Sequence, residues 1–117
     1  MRPEERDAAI LWDMLQAAQD ATTIVAGVTA ASLRRDRLRT LALGRSMELL
    51  GEAARRVSGD FRAAHPEVPW RAMAGLRNIL AHDYGRIDHE RLFATAVKEL
   101  PALLTQLEVF LPPQKRG

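Results

Sequence analysis

Apolar residues recur along this chain at steps of three and four and seldom at steps of two, so helices are the elements the pattern predicts. Only a brief stretch around Thr22 to Val28 alternates in the manner of a strand. A first helix is predicted from about Pro3 to Val25: proline is tolerated in a first turn, and Ile10, Leu11, Met14, Leu15 and Ala18 form one apolar stripe. Gly27 weakens its end. A second, long helix is predicted from about Ser32, a candidate N-cap, to Phe61. Along it Leu43, Met47, Leu50, Ala54, Val57 and Phe61 alternate steps of four and three, the seam of a helix packed along a nearly parallel neighbour. Another face carries Arg45, Glu48, Glu52, Arg55 and Arg56, with Glu52 and Arg56 one turn apart and able to pair.

Pro66 and Pro69 in the segment HPEVPW end that helix, because proline lacks an N–H and restricts the residue before it. A third helix is predicted from Pro69 or Trp70 to about Tyr84, with Gly85 as its stop. Asp88 is the expected cap of a fourth, which carries Leu92, Phe93, Ala96, Val97, Leu100, Leu103, Leu104 and Leu107 and which Pro101 should kink. The expected architecture is all-α, an antiparallel four-helix bundle over residues 1–111 with a flexible tail at 112–117.

A length of 117 residues fits one domain with a single core. There is no cysteine, which excludes disulfides and thiolate chemistry. No apolar run reaches signal-peptide or membrane-span length, so a cytoplasmic protein with no membrane partner is expected. The formal net charge is only +2. The sequence pI is nonetheless about 9.7, and lysine occurs only at Lys98 and Lys115. Such an arginine bias is what phosphate recognition uses, since guanidinium grips phosphate bidentately, and it is also what codon usage in a GC-rich genome produces. The densest group, Arg34, Arg35, Arg37 and Arg39, has Asp36 inside it and reads as a solvated face.

Helix three changes the picture. At about 100° per residue, Met73, Leu76, Ile79 and Leu80 share one sector while Arg77, Asn78, Ala81 and His82 fall in the opposite one. Tyr84, two turns after Arg77, lies close to the same bearing. Such a set suits phosphoryl transfer on RNA. A neutral imidazole can take the proton of a ribose 2′-hydroxyl, an imidazolium can supply one to the leaving oxygen, and a guanidinium can hold the charge that grows on the phosphate. No metal or other cofactor is called for. His65, His82 and His89 lack the close spacing of zinc ligands, and Glu48 with Glu52, a conceivable magnesium pair, reads as part of a solvated strip.

The phrase VPWRAMAGLRNILAHDYGRID closely resembles the diagnostic segment of the HepT-like toxins, HEPN-superfamily nucleases encoded beside a minimal nucleotidyltransferase. Their signature is arginine, four residues, histidine, one residue, tyrosine; here it reads Arg77, Asn78 to Ala81, His82, Asp83, Tyr84. Val68, Pro69 and Trp70 match the entry to that helix, Ile87 and Asp88 its exit, and Glu48 to Ala54, ELLGEAA, resembles the family's second-helix segment. The likeness spans about residues 4 to 111. It implies a HEPN bundle that forms a homodimer, with two third-helix motifs building a composite RNA cleft. Arg77 and His82 would be its catalytic residues, and Asn78 and Glu52 would support them. It also implies a cognate minimal nucleotidyltransferase antitoxin that transfers AMP to Tyr84 and so neutralises the toxin. Gly44, Gly51, Ala53 and Ala54 permit close approach of another helix, from a second copy or from within the chain.

Three readings follow. The first is a metal-independent endoribonuclease toxin. The second is a non-catalytic helical dimer that docks a nucleotidyltransferase, with Arg77 as a phosphate clamp. The third is purely structural, with Arg77 paired to Asp83 or Glu52.

Overall fold

The computed structural model describes residues 4–80 and 88–112, apart from the Arg77 side chain. Among the described residues every regular element is a helix: α1 (Glu5–Val25), α2 (Ala30–Arg35), α3 (Arg37–Arg56), α4 (Gly59–Ala64), α5 (Trp70–Ala74), α6 (Leu76–Leu80), α7 (His89–Lys98) and α8 (Leu100–Phe110). The all-α expectation stands. Pro3 and the tail from 113 onward lie outside the described residues.

The two long helices, α1 and α3, pack along each other and form the axis of the fold. The α5–α6 pair lies on α3, while α7 and α8 lie on α1. The stripe expected on α1, Ile10, Leu11, Met14, Leu15 and Ala18, is buried, and so is the seam of Leu43, Met47, Leu50, Ala54, Val57 and Phe61. Leu92, Leu100, Leu103 and Leu107 close the core from the other side. Each fully buried leucine contributes about 1.5–3 kcal/mol of transfer free energy, so this shared core holds together segments too short to be stable helices alone. Val97 is a correction. It was expected in the fourth-helix stripe and is 46% exposed.

The second helix is not continuous, because polar side chains offer its backbone caps that compete with helix propagation. Thr29, not Ser32, is the first N-cap: its hydroxyl accepts from the Ser32 N–H at 3.0 Å, and the Ser32 hydroxyl accepts from the Thr29 N–H at 3.0 Å. Asp36 ends α2 and caps α3, accepting from the Arg39 N–H at 3.0 Å. Val57 is extended at φ −63° and ψ 138°, and Ser58 caps α4 through its hydroxyl. At that second break Asp7, buried in the first turn of α1, accepts from the Ser58 N–H at 2.9 Å and from its hydroxyl at 2.6 Å. Arg6 reaches the same junction and donates to the Arg56 carbonyl at 3.2 Å. The start of α1 is thereby fastened to the end of α3.

The third and fourth helices are interrupted too. Gly75 separates α5 from α6. Asp88 caps α7 as expected, accepting from the Arg91 N–H at 3.1 Å. Glu99 then separates α7 from α8, two residues before Pro101, whose missing N–H leaves the Val97 carbonyl without its helical donor.

Candidate active site

The segment that leads into the Arg77 signature begins at a firm anchor. The Trp70 indole donates to the His65 carbonyl at 2.8 Å, and its ring meets Phe61 edge-on at a centroid distance of 6.1 Å. Phe61 also contacts the His65 ring at a tilt and the Phe110 ring edge-on, so α4, the HPEVPW turn and the end of α8 share one aromatic cluster. The Gln106 amide donates to the Glu67 carbonyl at 2.9 Å and ties the same turn to α8. From this anchor α5 runs for five residues and breaks at Gly75, whose carbonyl accepts from the Asn78 N–H at 2.9 Å, a three-residue step that tightens the entry to α6.

On α6 the described side chains fall on two sides. Leu76 and Ile79 are buried and Asn78 is exposed. Leu80 is only partly buried, packed against the edge of the core. Arg77 occupies α6 between Leu76 and Asn78. Its side chain, and the whole of Ala81, His82, Asp83, Tyr84 and Gly85, lie outside the described residues.

Glu52 stands one residue beyond Gly51, and the two face different neighbours. Gly51 faces the α5–α6 junction: a Cβ there would lie 3.0 Å from the Met73 carbonyl oxygen. Glu52 is exposed and lines an open groove of about 400 Å³ between α1 and α3, with Asp13, Gln16 and Asp20 on one wall and Arg45, Leu49 and Arg56 on the other. The structure records no Glu52–Arg56 ion pair. Arg45 instead pairs with Glu48 in that strip.

Two of the four arginines in the run have partners. Arg34 pairs with Glu90 at 3.2 Å, and Arg39 pairs with Asp36 at 3.2 Å while donating to the Ile24 carbonyl at 2.8 Å. These contacts join α2 and α3 to α7 and α1, as a solvated face with structural ties would. Of the histidines weighed as ligands, His65 lies in the aromatic cluster with Glu67 at 3.5 Å from its Nδ1, and His89 opens α7. Among the described residues, no three histidine or acidic side chains gather in a metal-binding arrangement. No helix among them is long and apolar enough to cross a membrane.

Sequence reasoning missed Asp7 and left the neighbour of Gly51 open. Asp7 reads as one more acid in a first turn, and only the partner 51 positions away reveals its role. Gly51 was noted as small, but its neighbour was undecided; its signal was a glycine retained inside a helix seven residues after Gly44, at a cost in helix propensity.

An all-helical domain with an arginine–asparagine segment seated on its central helix is the class that fold and site define. The Ribonuclease HepT-like family matches residues 14–110, and the chain belongs to that family. It is 34% identical over 101 residues to the Methanocaldococcus jannaschii protein named "Putative RNase MJ1380", covering 86% of this chain and 93% of that one. It is 34% identical over 91 residues to "Putative RNase TTE0752" of Caldanaerobacter subterraneus subsp. tengcongensis, covering 78% and 81%. It is also 37% identical over 73 residues to "Probable ribonuclease HepT" of Thermococcus cleftensis, covering 62% and 66%. No solved structure matches the chain at a significant level.

Proposed function

We propose that this protein is a metal-independent endoribonuclease, the toxin of a toxin–antitoxin pair, with Arg77 and His82 as its catalytic residues. The observation that carries the reading is the phrase from Arg77 to Tyr84, which falls inside the matched family span and begins on a helix whose apolar side is committed to the core. His82 takes the proton of a ribose 2′-hydroxyl, and the 2′-oxygen attacks the adjoining phosphorus. The bond from phosphorus to the 5′-oxygen breaks, and that oxygen receives a proton from an imidazolium. The products are a 2′,3′-cyclic phosphate and a 5′-hydroxyl. Arg77 holds the non-bridging oxygens as their charge grows, and Asn78 donates a hydrogen bond at the rim.

The working unit is a homodimer in which two copies of the motif form one cleft, so that base and acid come from two histidines. Its support is the outward face of α3, where Leu38 and Leu41 are 80% and 55% exposed and Leu49 follows two turns further on. Control comes from a cognate minimal nucleotidyltransferase: the Tyr84 hydroxyl attacks the α-phosphorus of ATP, pyrophosphate leaves, and the AMP placed beside Arg77 excludes RNA by charge and volume. The test is RNA cleavage in excess chelator by the wild type beside His82→Ala. Cleavage by the wild type alone is expected, and equal cleavage by both would remove the enzyme reading.

A further inference from the structure

Residues Leu76 to Leu80 make a helix of barely more than one turn, too short to hold its own position, so something else must determine where Arg77 and Asn78 sit. The structure shows what it rests on. A Cβ at Gly51 would lie 3.0 Å from the Met73 carbonyl oxygen, 3.5 Å from the Leu76 Cβ and 3.8 Å from the Ala74 carbonyl oxygen. A Cβ at Gly44 would lie 3.8 Å from the Leu80 Cδ2. Thus α6 crosses α3 antiparallel, with Leu76 over Gly51 at one end, Leu80 over Gly44 at the other, and Arg77 and Asn78 between them. The two contacts differ in kind. At Gly51 the opposing atom is backbone, which cannot rotate away; at Gly44 it is the tip of a flexible side chain.

We propose that Gly51 is a positioning residue for RNA cleavage: by letting the α5–α6 backbone touch α3, it sets the depth at which α6 lies and therefore the placement of Arg77 and Asn78, with Gly44 as the looser second seat. The proposal rests on the ribonuclease reading above. Any side chain at Gly51 must lift the Met73 carbonyl, and with it the Gly75 turn and α6, by a few tenths of an ångström. Alignment of a catalytic group is sensitive on that scale, whereas binding of a long RNA strand through many contacts is not.

The test uses the full-length protein, with circular dichroism, RNA cleavage kinetics and the amide resonances of Leu76 to Leu80. Gly51→Ala is expected to keep its helical signal, shift the Asn78 amide and lower kcat at least tenfold with KM within about twofold of wild type. Gly44→Ala, whose added methyl meets only the tip of the Leu80 side chain, is expected to move the Asn78 amide and kcat less than Gly51→Ala does. Gly44→Val, which presses on Leu80 from a half-exposed position, is expected to shift the Asn78 amide and lower kcat without unfolding. A Gly51→Ala protein with wild-type kcat, or one that loses its helical signal, would overturn the proposal. So would Gly44→Val with an unmoved Asn78 amide, which keeps the idea testable on a second variant. Were the wild type itself inactive on RNA, the ribonuclease reading would fail, while the amide shifts would still decide whether Gly51 places α6.

Discussion

Asp7 accepts two hydrogen bonds from Ser58, the backbone N–H at 2.9 Å and the hydroxyl at 2.6 Å, and both groups sit where α3 has ended and α4 begins. One buried carboxylate therefore satisfies a helix break that would otherwise leave backbone donors unpaired. The Ser58 hydroxyl in turn accepts from the Phe61 N–H at 3.2 Å, so the arrangement extends into the first turn of α4.

Removing that carboxylate should be costly. Asp7→Ala leaves the part-buried Ser58 N–H without its acceptor, and a loss of about 1–3 kcal/mol is expected. Urea unfolding followed by circular dichroism measures it. A midpoint unchanged from wild type would show that the Ser58 groups find other partners.

Gly44 makes the opposite prediction. Its added Cβ meets only the Leu80 side-chain tip at 3.8 Å, an ordinary contact, while alanine recovers helix propensity in the middle of α3. Gly44→Ala should raise stability by about 0.5–1 kcal/mol in the same urea experiment. Destabilisation would mean that α6 lies closer to α3 than the structure shows.

For activity, Arg77→Ala should lower RNA cleavage by about a hundredfold to ten-thousandfold, and Asn78→Ala by less, since in the proposed roles one supplies charge to the transition state and the other a neutral hydrogen bond. Asn78 is exposed, so its replacement should leave the unfolding midpoint unchanged. Single-turnover cleavage with each variant, normalised to folded protein, gives the order. An Asn78→Ala effect larger than that of Arg77→Ala would reverse the assigned roles.

Assembly is addressed by Leu41→Glu, which puts a charge among the exposed leucines of α3 without touching the core. Sedimentation should show a dimer for wild type at micromolar concentration and a shift toward monomer for the variant, with cleavage falling in step. A wild-type monomer that still cleaves RNA would remove the composite cleft.

Tyr84→Phe separates modification from chemistry. Intact mass after incubation with the cognate nucleotidyltransferase and ATP should show AMP-sized increments on wild type and none on the variant, and the variant should resist neutralisation. Equal increments on both proteins would move the acceptor elsewhere.

Periodicity determined which residues enter the core: Ile10, Leu11, Met14, Leu43, Met47, Leu50, Leu76 and Leu103 are buried as the steps of three and four demanded. That follows because burial depends on the angular position of a side chain, and angular position is local to the helix. The motif from Arg77 to Tyr84 was legible for a related reason, being contiguous in the chain. What periodicity could not determine was where helices stop. The pattern runs on through Val57 and Gly75 with no loss of phase, yet both are breaks and a third falls at Asp36; Asp36 and Ser58 offer caps whose value depends on what lies nearby. Asp7 supplies that surrounding at Ser58 from 51 residues away. The neighbour of Gly51 was open for the same reason. A missing side chain says only that something comes close, and it took the folded chain to bring the Met73 carbonyl there.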